Sequence, residues 1–368
     1  MMVKQQYTVS FVTPAFLGDA EQNGAWRTPP FKALLRQWWR VAAVEEYNYD
    51  HARLRETEGR LFGNAWIEPI NGKSQFCKSR VLLRLGSWSK GGLASDKWPG
   101  GSVEDVVTTR DGKGRVRADV YMGYGPVMPP SKKENRPRIT IRNAISADDS
   151  RKLCLSFDQN SNDTFFSTLQ LIQWFGCLGS RSRNGWGSLL LESAQENTPD
   201  LSVLPQADNA ILNRICLPWK RCLEKDWPHA LGTDSDKPLI WITERKADWR
   251  KVIGCLANIK VEVRFAAKAL QGPAGIGGIH LLGYPAGGKW ELKKLGAEAR
   301  LANQLRFKVL KIGEGFMGII SHFPCKFPDE LKLKLDDKQR DWIDRNEHLV
   351  WEKIHSSLRN NKRLKPLF

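Results

Sequence analysis

Residues 164–193 read TFFSTLQLIQWFGCLGSRSRNGWGSLLLES. The apolar run predicts a helix over 163–175, and GWGSLLLES predicts a strand. Between them, residues 176–187 hold four glycines, two arginines, two serines and one tryptophan. A bare connection needs a turn and little else. Glycines let backbone N–H groups approach an anion and adopt nest conformations. Arg181 and Arg183 add charge and paired hydrogen bonds. Gly179, Ser180, Arg181, Ser182, Arg183, Asn184, Gly185, Trp186 and Gly187 therefore form a candidate anion-binding loop. The competing reading is a long helix-to-strand turn. Trp186 either stacks on a base or ribose or anchors the loop in the core.

Working outward, the chain opens with QYTVSFVTPAFL, which alternates like a strand. A loop follows, then FKALLRQWWRVAAVEEY, apolar at helical spacing through Phe31, Leu34, Leu35, Trp38, Trp39 and Ala42. Pro29 and Pro30 suit a helix entry. Lys32, Arg36 and Arg40 lie four apart, so they share one helix face. The helix start adds partial positive charge that favours phosphate; an ordinary solvated face is the alternative. LRETEGRLFGNAW is a shorter helix broken at Gly63. Residues 76–90 read as a basic strand, 91–118 as a mobile insertion or exposed hairpin, and KLCLSFDQ as a strand. A proline-bounded basic stretch contains Arg136 and Arg138. This strand–helix–strand–helix–strand order predicts an α+β fold of ferredoxin-like (RRM-like) type, with antiparallel sheets and helices packed on one face.

ENTPDLSVLPQ is polar and punctuated by proline, which divides the chain into 1–200 and 201–368. The second part shows helical patterns near 206–224 and 247–270. Two strand-like runs, LANQLRFKVLKI and GFMGIISHF, are joined through GEG as a hairpin. The last 38 residues read as a charged amphipathic helix with a basic end. Both parts carry helices, strands and a glycine-rich loop, which suggests two related modules.

The 368 residues carry a net charge of +17. Such a surface repels itself unless a polyanion neutralises it, so nucleic acid is the leading partner and an anionic membrane the second. Fifteen tryptophans supply stacking surfaces, although most belong to cores. The seven cysteines show no CxxC pairing, which fits buried thiols in a reducing cytoplasm better than disulfides or zinc. No apolar run approaches a membrane span.

Several catalytic signatures nearly match. GYPAGGKW (283–290) fits a P-loop except that Trp290 replaces the Ser or Thr that would hold Mg²⁺. GEGFMG (313–318) fits GxGxxG but precedes a strand pattern, so it reads as a hairpin turn. His322 and Cys325 lack a second ligand pair. His348 and His355, seven apart, read as a solvated helix face. Asp148–Asp149 and Asp336–Asp337 read as turn or surface residues. His280, in a glycine-rich segment, is the best candidate for a general base. Contact with backbone or RNA is the simpler role for it, since no partnered acid or second base is evident.

FVTPAFLG, RTPPFKALLRQWWR, LFG and GCLGSRSRNGWGSL together resemble the RAMP superfamily of CRISPR effector proteins. LRQWWR with LFG, then HLLGYP, RLANQLRFKVLKI and GFMGIISHFP, resemble more narrowly a RAMP subunit of the Cmr complex of type III-B systems. The resemblance spans roughly residues 7–192 and 239–328. It implies two ferredoxin-like modules inside an antiviral ribonucleoprotein. It also implies binding of CRISPR RNA near its 3′ end, or of the guide–target duplex there, beside other Cmr/RAMP subunits. It does not imply target cleavage, and no cofactor or metal is expected. On that resemblance Lys32, Arg36, Arg40, the loop 179–187, Arg136 and Arg138 would hold RNA, and His280, Arg300 and Arg306 would complete the groove or face a neighbouring subunit. The alternative is a metal-independent endoribonuclease that processes CRISPR RNA with His280 as its base.

Overall fold

A computed structural model of the chain describes residues 1–21, 23–70, 73–98, 106–109, 114–129, 138–139, 143–284, 292, 295–296 and 298–368. The first part contains β1 (Met2–Phe11), α1 (Thr28–Ala43), α2 (His51–Phe62), β2 (Leu82–Leu85), α3 (Ala118–Gly123), β3 (Ser150–Asp158), α4 (Asn162–Phe175) and β4 (Leu189–Ser193). The second contains β5 (Ile240–Thr243), α5 (Trp249–Lys268), β6 (Leu305–Ile312), β7 (Gly315–His322), α6 (Asp337–Arg359) and β8 (Leu364–Pro366).

Each part builds one four-stranded antiparallel sheet. The orders are β4-β1-β3-β2 and β6-β7-β5-β8. With their two main helices, both follow β-α-β-β-α-β with the ferredoxin-like strand order, so the α+β expectation holds in both halves. Local chemistry explains most of the elements. Tyr7, Val9 and Phe11 alternate inward on β1. Pro29 and Pro30 occupy the first turn of α1. Asp336 caps α6, accepting from the Gln339 amide at 2.9 Å in a capping box, so this acidic pair is a helix start. Gly313 and Glu314 form the two-residue turn between β6 and β7, with Gly313 at φ +54°.

The two sheets differ in what covers them. Leu153, Leu155 and Phe157 of β3 pack on α1 and α4, as one covered face requires. In the second sheet Trp241, Phe307 and Val309 pack against α5 and α6, while Ile240, Ile242, Leu310 and Ile319 join the core of α1 and α4. The order of layers is therefore sheet, helices, sheet, helices. Because both faces are covered, Leu305 to Leu310 are all buried, although the letters alternate apolar and basic as far as Val309. Each sheet therefore carries its own helices on one face, and the other face of the second sheet is covered in addition by the helices of the first module.

Two polar residues of β6 lie in that shared layer. Lys308, 1% exposed, donates to the Ile172 carbonyl at 2.9 Å and the Gln173 carbonyl at 2.5 Å, satisfying the end of α4. The C-terminal basic stretch is also not helical throughout. Residues Leu364–Pro366 form β8 and pair with β5.

Candidate nucleic-acid interface

The glycine loop leaves α4 at Gly176 and closes on itself. The Leu178 amide donates to the Gly187 carbonyl at 2.8 Å, and Cys177 bridges Ser188. A Cβ on Gly187, which sits at φ +63°, would fall 1.9 Å from the Leu178 oxygen, so only glycine fits there. One side of the loop is fastened to the segment after β1. Ser180 donates to the Phe16 carbonyl at 2.9 Å, Gly187 to the Pro14 carbonyl at 3.0 Å, and the Thr13 hydroxyl to the Gly185 carbonyl at 2.7 Å. Its other side is fastened to the second sheet. Phe307 donates to the Arg183 carbonyl at 3.3 Å, and Val309 to the Ser188 hydroxyl at 3.0 Å.

The loop is therefore a strap between the two modules, and the amides of Leu178, Ser180, Asn184 and Gly187 are spent inside the protein. The expectation of an open backbone nest is corrected on that ground. Asn184, Gly185 and Gly187 are buried. Trp186 is fully buried, with ring centroids 5.4 Å from Phe16, 5.5 Å from Trp98 and 6.0 Å from Trp249. It anchors the loop and presents no face to a base. Only the tip around Ser180, Arg181, Ser182 and Arg183 reaches the surface, with Ser180 and Arg181 exposed. Arg181 holds a left-handed conformation, φ +59°.

At that tip the loop meets α5. Lys260 donates to the Asn184 side-chain oxygen at 2.7 Å and lies 5.7 Å from the Tyr121 ring centroid. Asn184 in turn donates to the Met122 carbonyl at 2.8 Å, which ties the cluster to α3. Arg264 follows Lys260 by one helical turn. Burial, then the charges of Arg264 and Arg181, push Lys260 down to about 7. Among the described residues, Arg181, Lys260 and Arg264 have no carboxylate partner. Tyr124, 57% exposed, precedes Gly125, where an added Cβ would lie 3.4 Å from the Arg181 guanidinium. Positive charge with an aromatic ring beside it is the composition of a single-strand binding surface.

The remaining candidates divide. Arg36 and Arg40 do share a face of α1, but both turn to Glu58 on α2, whose side chain is 2% exposed. Arg36 reaches it at 2.5 Å and the Arg40 terminal nitrogen at 2.8 Å. Burial alone would raise the Glu58 carboxyl, but the two arginines outweigh it and hold it below its usual value. With His51 and Arg55 they line a cleft of 510 Å³. Lys32 is half-buried and pushed down by burial and then by Arg36. Arg183 is half-buried and donates to the Asn303 carbonyl at 2.5 Å. Arg300 is exposed three residues before that carbonyl.

Arg306 is 8% exposed and stacks between Trp38 at 4.8 Å and Phe323 at 5.3 Å. In the orientation its neighbours favour, the Gln37 amide oxygen accepts from both terminal nitrogens of Arg306 at 2.7 Å. Arg306 therefore joins α1 to the second sheet and does not line a groove. His280 is 1% exposed, and its Nδ1 lies 3.1 Å from the Gly277 amide at the start of the short helix Gly278–Leu282. Neither side chain meets a ligand at the surface. Arg138 lies on a two-residue strand, and Arg136 falls outside the described residues, as do residues 285–290 of the near-P-loop. His355 is not on a solvated face, because it is 1% exposed and its Nε2 lies 2.9 Å from His322 Nδ1. His348 is exposed. Among the described residues no group of three His, Cys, Asp or Glu side chains could hold a metal, and no helix is long and apolar enough to cross a membrane.

Sequence reasoning missed Lys260 and Arg264. Their signal was present, since Lys260, Arg264 and Lys268 stand four apart inside the helical pattern 247–270.

No family model matches the sequence, and no curated protein does. Solved structures do. The chain is similar to Cmr1 from Pyrococcus furiosus in its apo form, with TM-score 0.43 and 13% identity over 94% of this chain and 97% of that one. It is similar to a chain of the type III-B Cmr-beta complex bound to cognate target RNA and AMPPnP in the presence of ssDNA, with TM-score 0.44 and 11% identity over 95% and 100%. A chain of Cmr-beta bound to cognate target RNA gives TM-score 0.42 and 13% identity over 95% and 100%. Along nearly its whole length, then, this chain has Cmr1 and Cmr-beta subunits as structural neighbours.

Proposed function

We propose that this chain is an RNA-binding subunit of a cytoplasmic type III-B CRISPR ribonucleoprotein. It holds the CRISPR RNA near its 3′ end, or the guide–target duplex there, beside other Cmr subunits, and does not cut it. One observation carries the RNA-binding part. Arg181, Lys260 and Arg264 gather where the glycine loop crosses between modules, with no carboxylate partner among the described residues. Like charges gathered together repel one another, and a polyanion laid along the seam relieves that repulsion. The loop's role is to place Arg181 on a rigid strap, not to wrap phosphate in its own amides. The place in a type III-B complex rests on the sequence motifs FVTPAFLG, LRQWWR and GCLGSRSRNGWGSL. The endoribonuclease alternative needs His280 at a ribose hydroxyl, and a ring 1% exposed inside a helix start is poorly placed for that.

The test is filter binding of single-stranded RNA across salt concentration, with cleavage followed in the same samples. Binding should weaken linearly on a log–log plot, with about 0.7 of slope per phosphate neutralised. Arg181→Ala with Arg264→Ala should reduce that slope by about 1.4. Co-purified RNA should be CRISPR RNA, accompanied by other Cmr subunits. An unchanged slope would sink the interface. Metal-free cleavage of repeat RNA that disappears in His280→Ala would overturn the non-catalytic reading.

A further inference from the structure

Among the described residues, the charges that act on Lys260 are of its own sign. Arg264 lies one turn along α5, Arg181 stands opposite on the glycine loop, and α3 contributes the neutral Tyr121 ring. The acids nearest in sequence are engaged elsewhere. Asp119 of α3 accepts from Arg117 at 2.8 Å and from the Trp98 indole at 3.1 Å. Glu262 of α5 accepts from Asn361 at 2.6 Å and from Arg363 at 2.8 Å. Among the described residues, the oxygen that accepts from Lys260 is that of Asn184, at 2.7 Å, a neutral acceptor. Such a lysine gives up its proton readily in the empty protein, and an anion placed among the three cations reverses the balance.

We propose that Arg181, Lys260 and Arg264 form one phosphate site, which takes a single phosphodiester of the bound strand and draws a proton from solvent onto Lys260 as it fills. This rests on the RNA-binding reading and adds to it a defined ligand atom and a pH dependence. The proton joins the lysine nitrogen lone pair, and no covalent bond to the RNA forms or breaks. Because Lys260 in the empty protein lies at about 7, binding above that pH must supply the missing proton. Affinity then falls about tenfold for each pH unit above 7. Lys308 is the natural confounder, since burial also pushes it down to about 7. It caps the end of α4 inside the shared core, away from the loop tip.

The experiment is calorimetric titration of the whole protein with a short uridine oligonucleotide at pH 8, in two buffers of different ionisation enthalpy. Wild type should take up close to one proton. Lys260→Arg keeps the charge without titrating, so it should bind with no uptake and outbind wild type at pH 9. Lys260→Met should lose about tenfold in affinity at pH 7, the worth of one charge-assisted hydrogen bond. Uptake that persists in Lys260→Arg places the proton elsewhere, Lys308 included, and overturns the proposal. RNA binding by wild type without proton uptake overturns it too, while leaving the RNA-binding reading intact. Absence of RNA binding by wild type at any pH defeats both.

Discussion

Trp186→Ala separates two roles that the sequence left open. If the indole anchors the loop, its removal empties the space between Phe16, Trp98 and Trp249, which belong to both modules. Large-to-small changes of a buried aromatic cost about 3–5 kcal/mol. Unfolding entropy is about 2.1 cal/mol/K per residue, or about 0.8 kcal/mol/K for a chain of this length. The melting temperature should therefore fall by about 5 °C, read by calorimetry. A single transition is expected, because the second sheet packs into the core of α1 and α4. The indole nitrogen has no hydrogen-bond partner among the described residues, so Trp186→Phe keeps a ring in place and breaks no hydrogen bond. It should lose less than half as much. A base-stacking tryptophan makes the opposite forecast: an unchanged melting temperature and about 1–3 kcal/mol lost from RNA binding. That outcome would refute the buried-anchor argument.

Two further perturbations test other parts of the structure. His355 is pushed down to about 4 by burial, against an ordinary value near 6.5, and His322 is held well below its ordinary value by burial and by His355. As pH falls from 6.5 to 4 the unfolded chain binds protons that the folded pair refuses, so His355 alone removes about 3 kcal/mol of stability over that window. Urea titrations at several pH values should show His355→Phe losing much of that acid sensitivity, and an unchanged pH slope would contradict the buried pair. Glu58→Gln removes the negative charge and one of the two acceptor oxygens that face Arg36 and Arg40, both partly exposed, and leaves two unmatched cations on α1. RNA affinity should rise and its salt slope steepen by about 0.7 or more, at a stability cost of about 1–3 kcal/mol, measured by filter binding and denaturant melts.

Helix starts, the β6–β7 turn and the inward residues of β1 follow from neighbours a few positions apart. Hairpin geometry and periodicity are local, so Gly313 and Tyr7 could be placed by inspection; the capping box at Asp336 is local too, but the sequence reading took that acid for a turn or surface residue. Four-residue strands such as IWIT carry too few residues for a period to register, and β5 was not anticipated. Of the loop 179–187, its position between a helix and a strand was legible, and so was its positive charge. Its hydrogen bonds to Phe16, Pro14 and Phe307 were not, since each joins residues more than 100 positions apart.

The sequence alone therefore determined an α+β chain of two related modules, a strong positive charge, and a glycine loop that carries two arginines. Tertiary structure decided how that charge is used. Arg306 and Lys308 went into the layer between modules, Arg36 and Arg40 went to Glu58, and Arg181 was left to meet Lys260 and Arg264 from the other half of the chain. A residue's charge belongs to its type, but whether that charge is neutralised depends on which distant groups the fold brings beside it.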